Sequence, residues 1–271
     1  MKRKKFTASG PGRIDKILAQ ELDVSRNQVE KLVKDGLVSV SGRTVTKTSF
    51  PAPSVKEPTL VDWLVKKGIS LSTISGEERH GIVHRIDKET TGALVIAKDN
   101  KVHEMLSEQL QDKSMGRYYL ALIDHFLKED VVVDKPIGRN PKNRLKMDVV
   151  PHGKAAKTAF KKLLTSVHDV ELIAAKLYTG RTHQIRVHLN TLGRHILGDD
   201  LYGFKSKRDK IPRVYLHAYL LYLIHPITGE KMEFTAPLFD DMKLYLSKYF
   251  DQGDIDEKID PLTLGSCFTD L

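Results

Sequence analysis

One aspartate in this chain is surrounded by positive charge on a short polar turn. Asp87 lies between Arg85 and Lys88, and the turn leads at once into the apolar run Ala93–Ala97. Neighbouring cations favour the ionised form of a carboxyl group. An ionised aspartate suits a nucleophile or an electrostatic partner better than a general acid. A motif this short also occurs in ordinary loops, where the aspartate bonds its own backbone and the charges face water.

Two more polar segments follow the aspartate turn, and the three together are more informative than any one alone. The first reads Arg-Tyr-Tyr-Leu-Ala at 117–121, and the second reads Gly-Arg-Thr-His-Gln-Ile-Arg at 180–186. In this order the three segments resemble the motifs of the RluA-type family of pseudouridine synthases. Shorter matches at 153–158, 197–203 and 216–218 extend the resemblance from about 81 to about 237.

The resemblance implies a role for each polar side chain of these motifs. Asp87 matches the family's catalytic aspartate, Tyr119 its active-site tyrosine, and Arg186 the arginine that pairs with the aspartate. Arg85 matches the position that fills the space left when the target uridine leaves its stack. Arg181 is expected to pair with another carboxylate or with an RNA phosphate. The family is understood to use no cofactor and no metal, so the resemblance implies none here.

These side chains need a rigid support, and the hydrophobic pattern predicts a sheet. The alternating and apolar runs that indicate strands lie at 118–123, 158–164, 170–177 and 220–225, the last joined by a hairpin turn to 231–234. Many strands with few long helices indicate an α+β fold. We expect a mainly antiparallel mixed-sheet catalytic domain of the pseudouridine synthase type, with a small N-terminal S4-like α/β RNA-binding domain.

The third motif is predicted to be helical. Ile185, Leu189 and Leu192 share one helix face and should be core residues, which would turn Arg186 towards a cleft.

Residues 13–47 have the pattern of a small RNA-binding module. Ser25 and Gln28 form a capping box that begins a helix, and a strand–turn–strand pattern follows at 37–43. This order resembles the S4 domain, which lays basic helices on structured RNA. The candidate phosphate contacts are Arg13, Arg26, Lys31, Lys34 and Arg43. A solvated helix face explains the same charges without RNA.

The expected domain boundaries follow from composition. Residues 1–48 form the S4-like domain, 49–58 a proline-rich linker, 59–250 the catalytic domain, and 251–271 a loosely held acidic tail. A helix is predicted over 59–68, with the single tryptophan, Trp63, packed in the core.

The overall charge favours a polyanionic partner. The 271 residues include 44 Lys and Arg against 35 Asp and Glu, a formal net charge of +9. No apolar run approaches membrane-spanning length, so we expect RNA and no membrane. The single cysteine, Cys267, fits a reducing compartment, and we expect a cytoplasmic monomer. Ribosomal RNA of the large subunit is the expected substrate, with transfer RNA as the alternative.

One family segment has no counterpart in the chain. Members usually carry a hydrophobic strand and a Lys-Pro motif before the aspartate turn, whereas here 48–50 runs directly into the proline-rich stretch. Two explanations are open: a compact natural variant, or an internally deleted form with impaired activity. The alternative function is therefore a catalytically inactive RNA-binding protein or ribosome assembly factor.

Metal-dependent hydrolysis is a third hypothesis, because the chain has 11 histidines. His183 and His188 are five residues apart, which is not the spacing of paired zinc ligands on a helix, and no cysteine or carboxylate cluster accompanies them. We therefore expect no metal site.

Overall fold

The computed structural model describes residues 12–40, 43–48, 51–52, 59–76, 79–204 and 211–269. They form two compact units, which meet in sequence between Lys67 and Gly68. The elements of the first unit are β1 (Gly12–Arg13), α1 (Ile14–Leu22), α2 (Arg26–Lys34), β2 (Ser39–Val40), β3 (Arg43–Thr44), β4 (Pro51–Ala52) and α3 (Leu60–Lys66).

The first unit has the helix–helix–strand–strand order that the sequence predicts. Ser25 caps α2, and its hydroxyl and the Gln28 side chain form the reciprocal bonds of a capping box. The strands β2 and β3 pair in antiparallel fashion. Helices and strands share one small core, which consists of Ile14, Leu18, Val29, Val33, Val38 and Val45. Most of the expected linker lies outside the described residues, but β4 pairs with β1.

The helix α3 groups with the first unit and not with the second, although the sequence places residue 59 at the start of the catalytic domain. Its buried face consists of Val61 and Leu64. Trp63 lies off that face with 52% of its surface exposed, so the prediction of a core tryptophan was wrong. Its ring lies 5.8 Å from the ammonium of Lys67, a contact suited to an exposed ring.

The second unit is built on one mixed sheet of eight strands, six of which form its main path. The order is β14 (Lys231–Thr235), β13 (Leu216–Ile224), β6 (Gly116–Asp124), β11 (Val170–Leu177), β10 (Lys157–Thr165) and β7 (Val131–Asp134), all antiparallel. This confirms the strands and the hairpin read from the sequence. The remaining elements are β5 (Thr91–Gly92), α4 (Asn100–Asp112), β8 (Ile137–Arg139), β9 (Met147–Val149), α5 (Gln184–Thr191), β12 (His195–Ile196), α6 (Asp240–Leu246), α7 (Gln252–Ile259) and α8 (Pro261–Ser266).

The central strand β6 is buried almost throughout, because the unit covers both faces of the sheet. Side chains alternate between the two faces of a strand, so Tyr118 and Tyr119 point to opposite sides. Tyr118 packs at 5.3 Å from the ring of Phe268, which follows the last helix. The expected loosely held tail is therefore corrected: α7 and α8 bury Ile255, Ile259, Leu264 and Phe268 in the main core.

The apolar run Ala93–Ala97 follows a strand but is not itself one. Only Thr91–Gly92 form a strand, β5, parallel to β13, and Ile96 makes one isolated bridge to Ile82. The residues from Ala93 to Ile96 remain half-buried. A β-rich sequence extends as a strand only where a neighbouring strand accepts its backbone bonds, and beyond β5 the described residues supply a single bridge.

Candidate active site

The turn that carries Asp87 is fixed from both ends. Before the aspartate, the Nε2 atom of buried His84 accepts a hydrogen bond from the Val95 N–H at 3.2 Å. After it, Gly92 has φ 111°, and a side chain there would collide with the backbone of Ala218. Glycine is thus required where β5 approaches β13. Burial, and then the charge of Arg117, lowers the pKa of His84 to about 3, so its ring is neutral.

Arg186 reaches Asp87 from the helix α5. One of its terminal nitrogens, Nη1, lies 3.3 Å from Oδ2 of Asp87. Its main partner is Asp199: Nε and Nη2 each donate to that carboxylate at 2.7 Å. Burial by itself would lower the pKa of Arg186, but the hydrogen bonds and charges of Asp199 and then Asp87 raise it. A guanidinium held by this two-point contact has a fixed orientation.

Asp199 and Tyr202 form the support beneath this arginine. Asp199 is 1% exposed, and the Arg186 guanidinium lies 4.9 Å from the centre of the Tyr202 ring. The Tyr202 hydroxyl bonds the backbone of Met147 and lies 2.9 Å from Nδ1 of His183. Burial raises the pKa of Tyr202 to about 12 and lowers that of His183. The arginine is therefore locked by a network and not by Asp87 alone.

The start of α5 is anchored by Gln184, which uses all of its hydrogen-bonding groups. Its carbonyl oxygen accepts from the hydroxyl of Thr179 and from the N–H of Arg181. Its amide nitrogen donates to the carbonyl of Lys157 and to the hydroxyl of Thr158. The third motif is thereby tied to β10, and the direction in which Arg186 leaves the helix is set. Ile185 and Leu189 are buried on the core side, as the helix pattern predicts, whereas Leu192, the third predicted core residue, follows the helix and is only half-buried.

Tyr119 reaches the same site from the sheet. It is 3% exposed in β6, and burial raises its pKa, with the charge of Asp87 adding to the shift and that of Arg117 opposing it. Its phenol is therefore protonated at neutral pH.

A cavity of about 40 Å³ joins these groups. Asp87, Tyr119 and Arg186 all line it, as do the other two arginines of the motifs, Arg85 and Arg181. Arg85 is exposed. Arg181 donates from Nε to the carbonyl of Ala155 at 2.9 Å, and no carboxylate of the described residues pairs with it. Of its two expected partners, only an RNA phosphate is left as a proposal.

The basic residues predicted in the first unit lie on its surface where they are described. Arg26 and Lys31 are exposed on α2. Arg13 pairs with Asp15 at 3.0 Å, and Lys34 pairs with Glu30 at 3.2 Å along the helix. Arg43 belongs to β3, but its side chain is outside the described residues. Two of the five cations thus already have carboxylate partners.

The histidines considered for a metal are engaged in other contacts. The ring of His188 lies between the Thr158 hydroxyl at 2.9 Å and the Lys135 carbonyl at 3.1 Å. His183 bonds Tyr202. In the part of the chain that the structure describes, no group of three His, Cys, Asp or Glu is placed to hold a metal ion.

Sequence reasoning did not single out Asp199, Tyr202 or Arg117 as site residues. The first two lie in the short matches at 197–199 and 201–203, so a signal existed. Arg117 stands two residues before the predicted Tyr119, on the same face of β6, and also lines the cavity. Its proximity to the site could have been read from the alternation of the strand.

Comparisons with known proteins identify the family of this chain. Residues 36–191 match the family model described as RNA pseudouridylate synthase, and residues 12–54 match the S4 domain model. A Helicobacter pylori protein named as an uncharacterized RNA pseudouridine synthase is 42% identical over 304 positions, covering 92% of this chain and 93% of its own. The ribosomal large subunit pseudouridine synthase D of Nitrosomonas europaea is 43% identical over 195 positions, covering 69% of this chain and 56% of its own.

A solved structure shares the fold. Human RNA pseudouridylate synthase domain containing 1 superposes with a TM-score of 0.57 at 24% identity, covering 73% of this chain and 84% of its own. Fold, motifs and relatives together define a pseudouridine synthase, an isomerase that acts on RNA. The chain belongs to the RNA pseudouridylate synthase family and carries an N-terminal S4 domain, so the resemblance read from the sequence is confirmed.

The Helicobacter pylori relative also carries residues that this chain lacks. The 304 positions aligned with the Helicobacter pylori protein exceed the 271 residues of this chain, so that relative has residues without a counterpart here.

No helix in the described ranges is long and apolar enough to cross a bilayer.

Proposed function

We propose that this protein converts a specific uridine of large-subunit ribosomal RNA into pseudouridine, with Asp87 as the reacting carboxylate. The observation that carries the proposal is the contact of Asp87 with Arg186 at 3.3 Å, inside a cavity that Tyr119 also lines. The reaction breaks the bond between uracil N1 and the ribose, rotates the base, and forms a bond from C5 to the same ribose carbon. N1 gains a proton and C5 loses one, so the atoms balance without another reactant.

Each polar group has a role that its surroundings support. Asp87 acts as nucleophile or base, and the Arg186 guanidinium 3.3 Å away orients its carboxylate towards the cavity. Arg186 is a positioning residue, held by Asp199 so that it does not follow the carboxylate as charge shifts. Tyr119 offers its ring face to the uracil, and its protonated hydroxyl can relay the proton lost by C5, passing its own proton to Asp87 as it takes up the one from C5.

The target base must leave its stack before it can reach this site. The cavity that would receive the base opens to the protein surface, where Arg85 and Arg181 line it. Arg85 is an exposed cation of that lining, and its guanidinium can stack in the RNA where the uridine was. Loops and bulges are the RNA regions most easily opened in this way.

Three observations favour ribosomal RNA, to be modified in the cytoplasm. The S4 domain is an RNA-binding module, and the net charge of +9 attracts polyanions. The Nitrosomonas relative is named for the ribosomal large subunit. Transfer RNA is the substrate to test beside it.

The direct test uses RNA in which the uridines carry tritium at C5, because C5 loses its hydrogen in the reaction. Asp87→Asn keeps the size and most of the hydrogen bonding of the side chain. We expect wild type to release tritium from 23S RNA and Asp87→Asn to be slower by about 10³-fold or more. Equal release by both proteins would remove Asp87 from the mechanism. Release from transfer RNA alone would refute the ribosomal substrate.

A second function is favoured by the residues that the chain lacks and by the half-buried run Ala93–Ile96. It is an RNA-binding protein or ribosome assembly factor without isomerase activity. It predicts that wild type and Asp87→Asn bind ribosomal RNA equally and that neither releases tritium.

A further inference from the structure

A second cavity of about 110 Å³ lies beside the catalytic one. It opens at the start of β6, where the end of α4, the end of β11 and β13 meet. Lys113, Met115, Lys176, Tyr178 and Tyr222 line it, and it shares Arg117 and Leu177 with the catalytic cavity. One water needs about 10–15 Å³, so this space admits a group of several heavy atoms. The two cavities are neighbours with one guanidinium between them.

Within the described residues, no hydrogen bond or ion pair is seen for that guanidinium. Arg117 is 6% exposed, and its Nε is buried without a hydrogen bond. Among the described residues no carboxylate pairs with it. A Cβ atom added to Gly180 would lie 3.5 Å from Nη1 and from Nη2 of Arg117. The guanidinium therefore lies next to Gly180, the first residue of the third motif. Leaving a buried cation unpaired is strongly unfavourable, which indicates that an anion completes this environment.

The rest of the second cavity is also cationic. The ammonium groups of Lys176 and Lys113, which line it, lie 5.4 and 6.0 Å from the centre of the Tyr178 ring, and that of Lys157, outside the lining, lies 5.0 Å from the same ring. Burial lowers the pKa of Lys176, with the charge of Cys267 opposing the shift. None of the residues that line the cavity is acidic. Cations gathered around an aromatic ring beside an unpaired guanidinium suit a phosphate group.

We propose that the second cavity binds a backbone phosphate of the substrate RNA adjacent to the target uridine, with Arg117 and Lys176 as its main donors. The proposal rests on the proposed function for the identity of the RNA. The planar fork of Arg117 fits two oxygens of a phosphodiester, and Lys176 supplies a point charge. Arg117 lines both cavities and so connects the bound phosphate to the position of the base.

The test compares Lys176→Met with Lys128→Met. Both changes remove one positive charge, but exposed Lys128 follows the opposite end of β6. Affinity for a 23S fragment is measured between 50 and 200 mM salt (roughly the range over which phosphate contacts dominate). We expect Lys176→Met to raise Kd and KM roughly tenfold with kcat little changed. We also expect the slope of log K against log salt to become shallower by about 0.7, and Lys128→Met to match wild type.

Arg117→Lys provides a second variant, which keeps the positive charge and removes the two parallel hydrogen bonds that a guanidinium can donate to a phosphate. It should weaken binding less than Arg117→Met. An unchanged salt slope and KM in Lys176→Met would overturn the proposal, even if Arg117→Met fails to fold.

Two further arms separate the possible outcomes. In an Asp87→Asn background the effect of Lys176→Met on the salt slope should persist, since binding does not need catalysis. If Asp87→Asn is fully active, the proposed function fails, while the salt slopes still decide the phosphate site. Binding of inorganic phosphate that depends on Lys176, together with RNA affinity that does not, would overturn the RNA assignment in favour of a free phosphate ligand.

Discussion

Two buried arginines line the catalytic cavity, and their surroundings are opposite. Arg186 donates to Asp199 through two nitrogens and to Asp87 through a third. Arg117 is equally buried and makes no such bond, and the cations Lys113 and Lys176 lie nearby. Burial of a charge is tolerated where partners replace the lost water. The paired side of the cavity is therefore organised before substrate arrives, whereas the unpaired side is complete only when an anion binds.

The largest effect is expected from breaking the paired side. Arg186→Met leaves Asp199 buried without its cation, so the second unit should lose about 3–5 kcal/mol of stability. Turnover should fall by about 10² or more, with RNA affinity changed far less. Hydrogen exchange of the β6 amides measures the stability, and single-turnover tritium release measures the rate. Lys128→Met is the control, because Lys128 is exposed and lines neither cavity. A loss confined to RNA binding would contradict the role of Arg186.

A smaller effect is expected from Asp199→Asn, which keeps the shape of the Asp199 side chain and removes its charge. Asp199→Asn retains one acceptor for Arg186 but removes the ionic contribution of two bonds at 2.7 Å. We expect about 1.5–3 kcal/mol lower stability and a reduced kcat with KM unchanged. The same exchange and tritium measurements check both. If Asp199→Asn has the stability and kcat of wild type, the prediction is wrong, and the contact with Asp87 alone is enough to hold Arg186 in place.

An effect that is absent at neutral pH and grows as the pH falls is expected from His84, whose pKa is lowered by burial and by the charge of the unpaired Arg117. The folded-state pKa of His84, about 3, lies below its usual 6.5, so the unfolded state binds the extra proton as pH falls. Neutral His84 therefore contributes fully to the free energy of unfolding above pH 6.5, and this contribution is lost progressively as the pH falls towards 3. At pH 5 the loss should be about 2 kcal/mol.

Comparing wild type with His84→Gln at pH 7.5 and pH 5 isolates this contribution, since all other groups titrate in both proteins. The stability difference between the two pH values should be about 2 kcal/mol smaller in the variant. If the stability of the two proteins depends on pH in the same way, the prediction is wrong. His84 would then leave its buried position when it is protonated.

The sequence predicted those features that depend on local pattern. The period of the apolar residues set the strands of the sheet and the buried face of α5, and the Ser25–Gln28 capping box marked the start of α2. The family resemblance named Asp87, Tyr119 and Arg186, and the structure brings all three to one cavity. Chain order could not show that Arg186, 99 residues after Asp87, would be held mainly by Asp199.

Only the tertiary structure decided which charges are paired and which segments are covered. The acidic C-terminal residues appear solvated in sequence, but Ile255, Ile259, Leu264 and Phe268 meet the sheet once the chain folds back. Trp63 appears to be a core residue, but α3 buries Val61 and Leu64 in its place. Arg117 is one more cation in a basic chain until neighbouring strands bury it without a partner. Composition and period act within a few residues, whereas burial and charge pairing depend on which distant residues fill the remaining space.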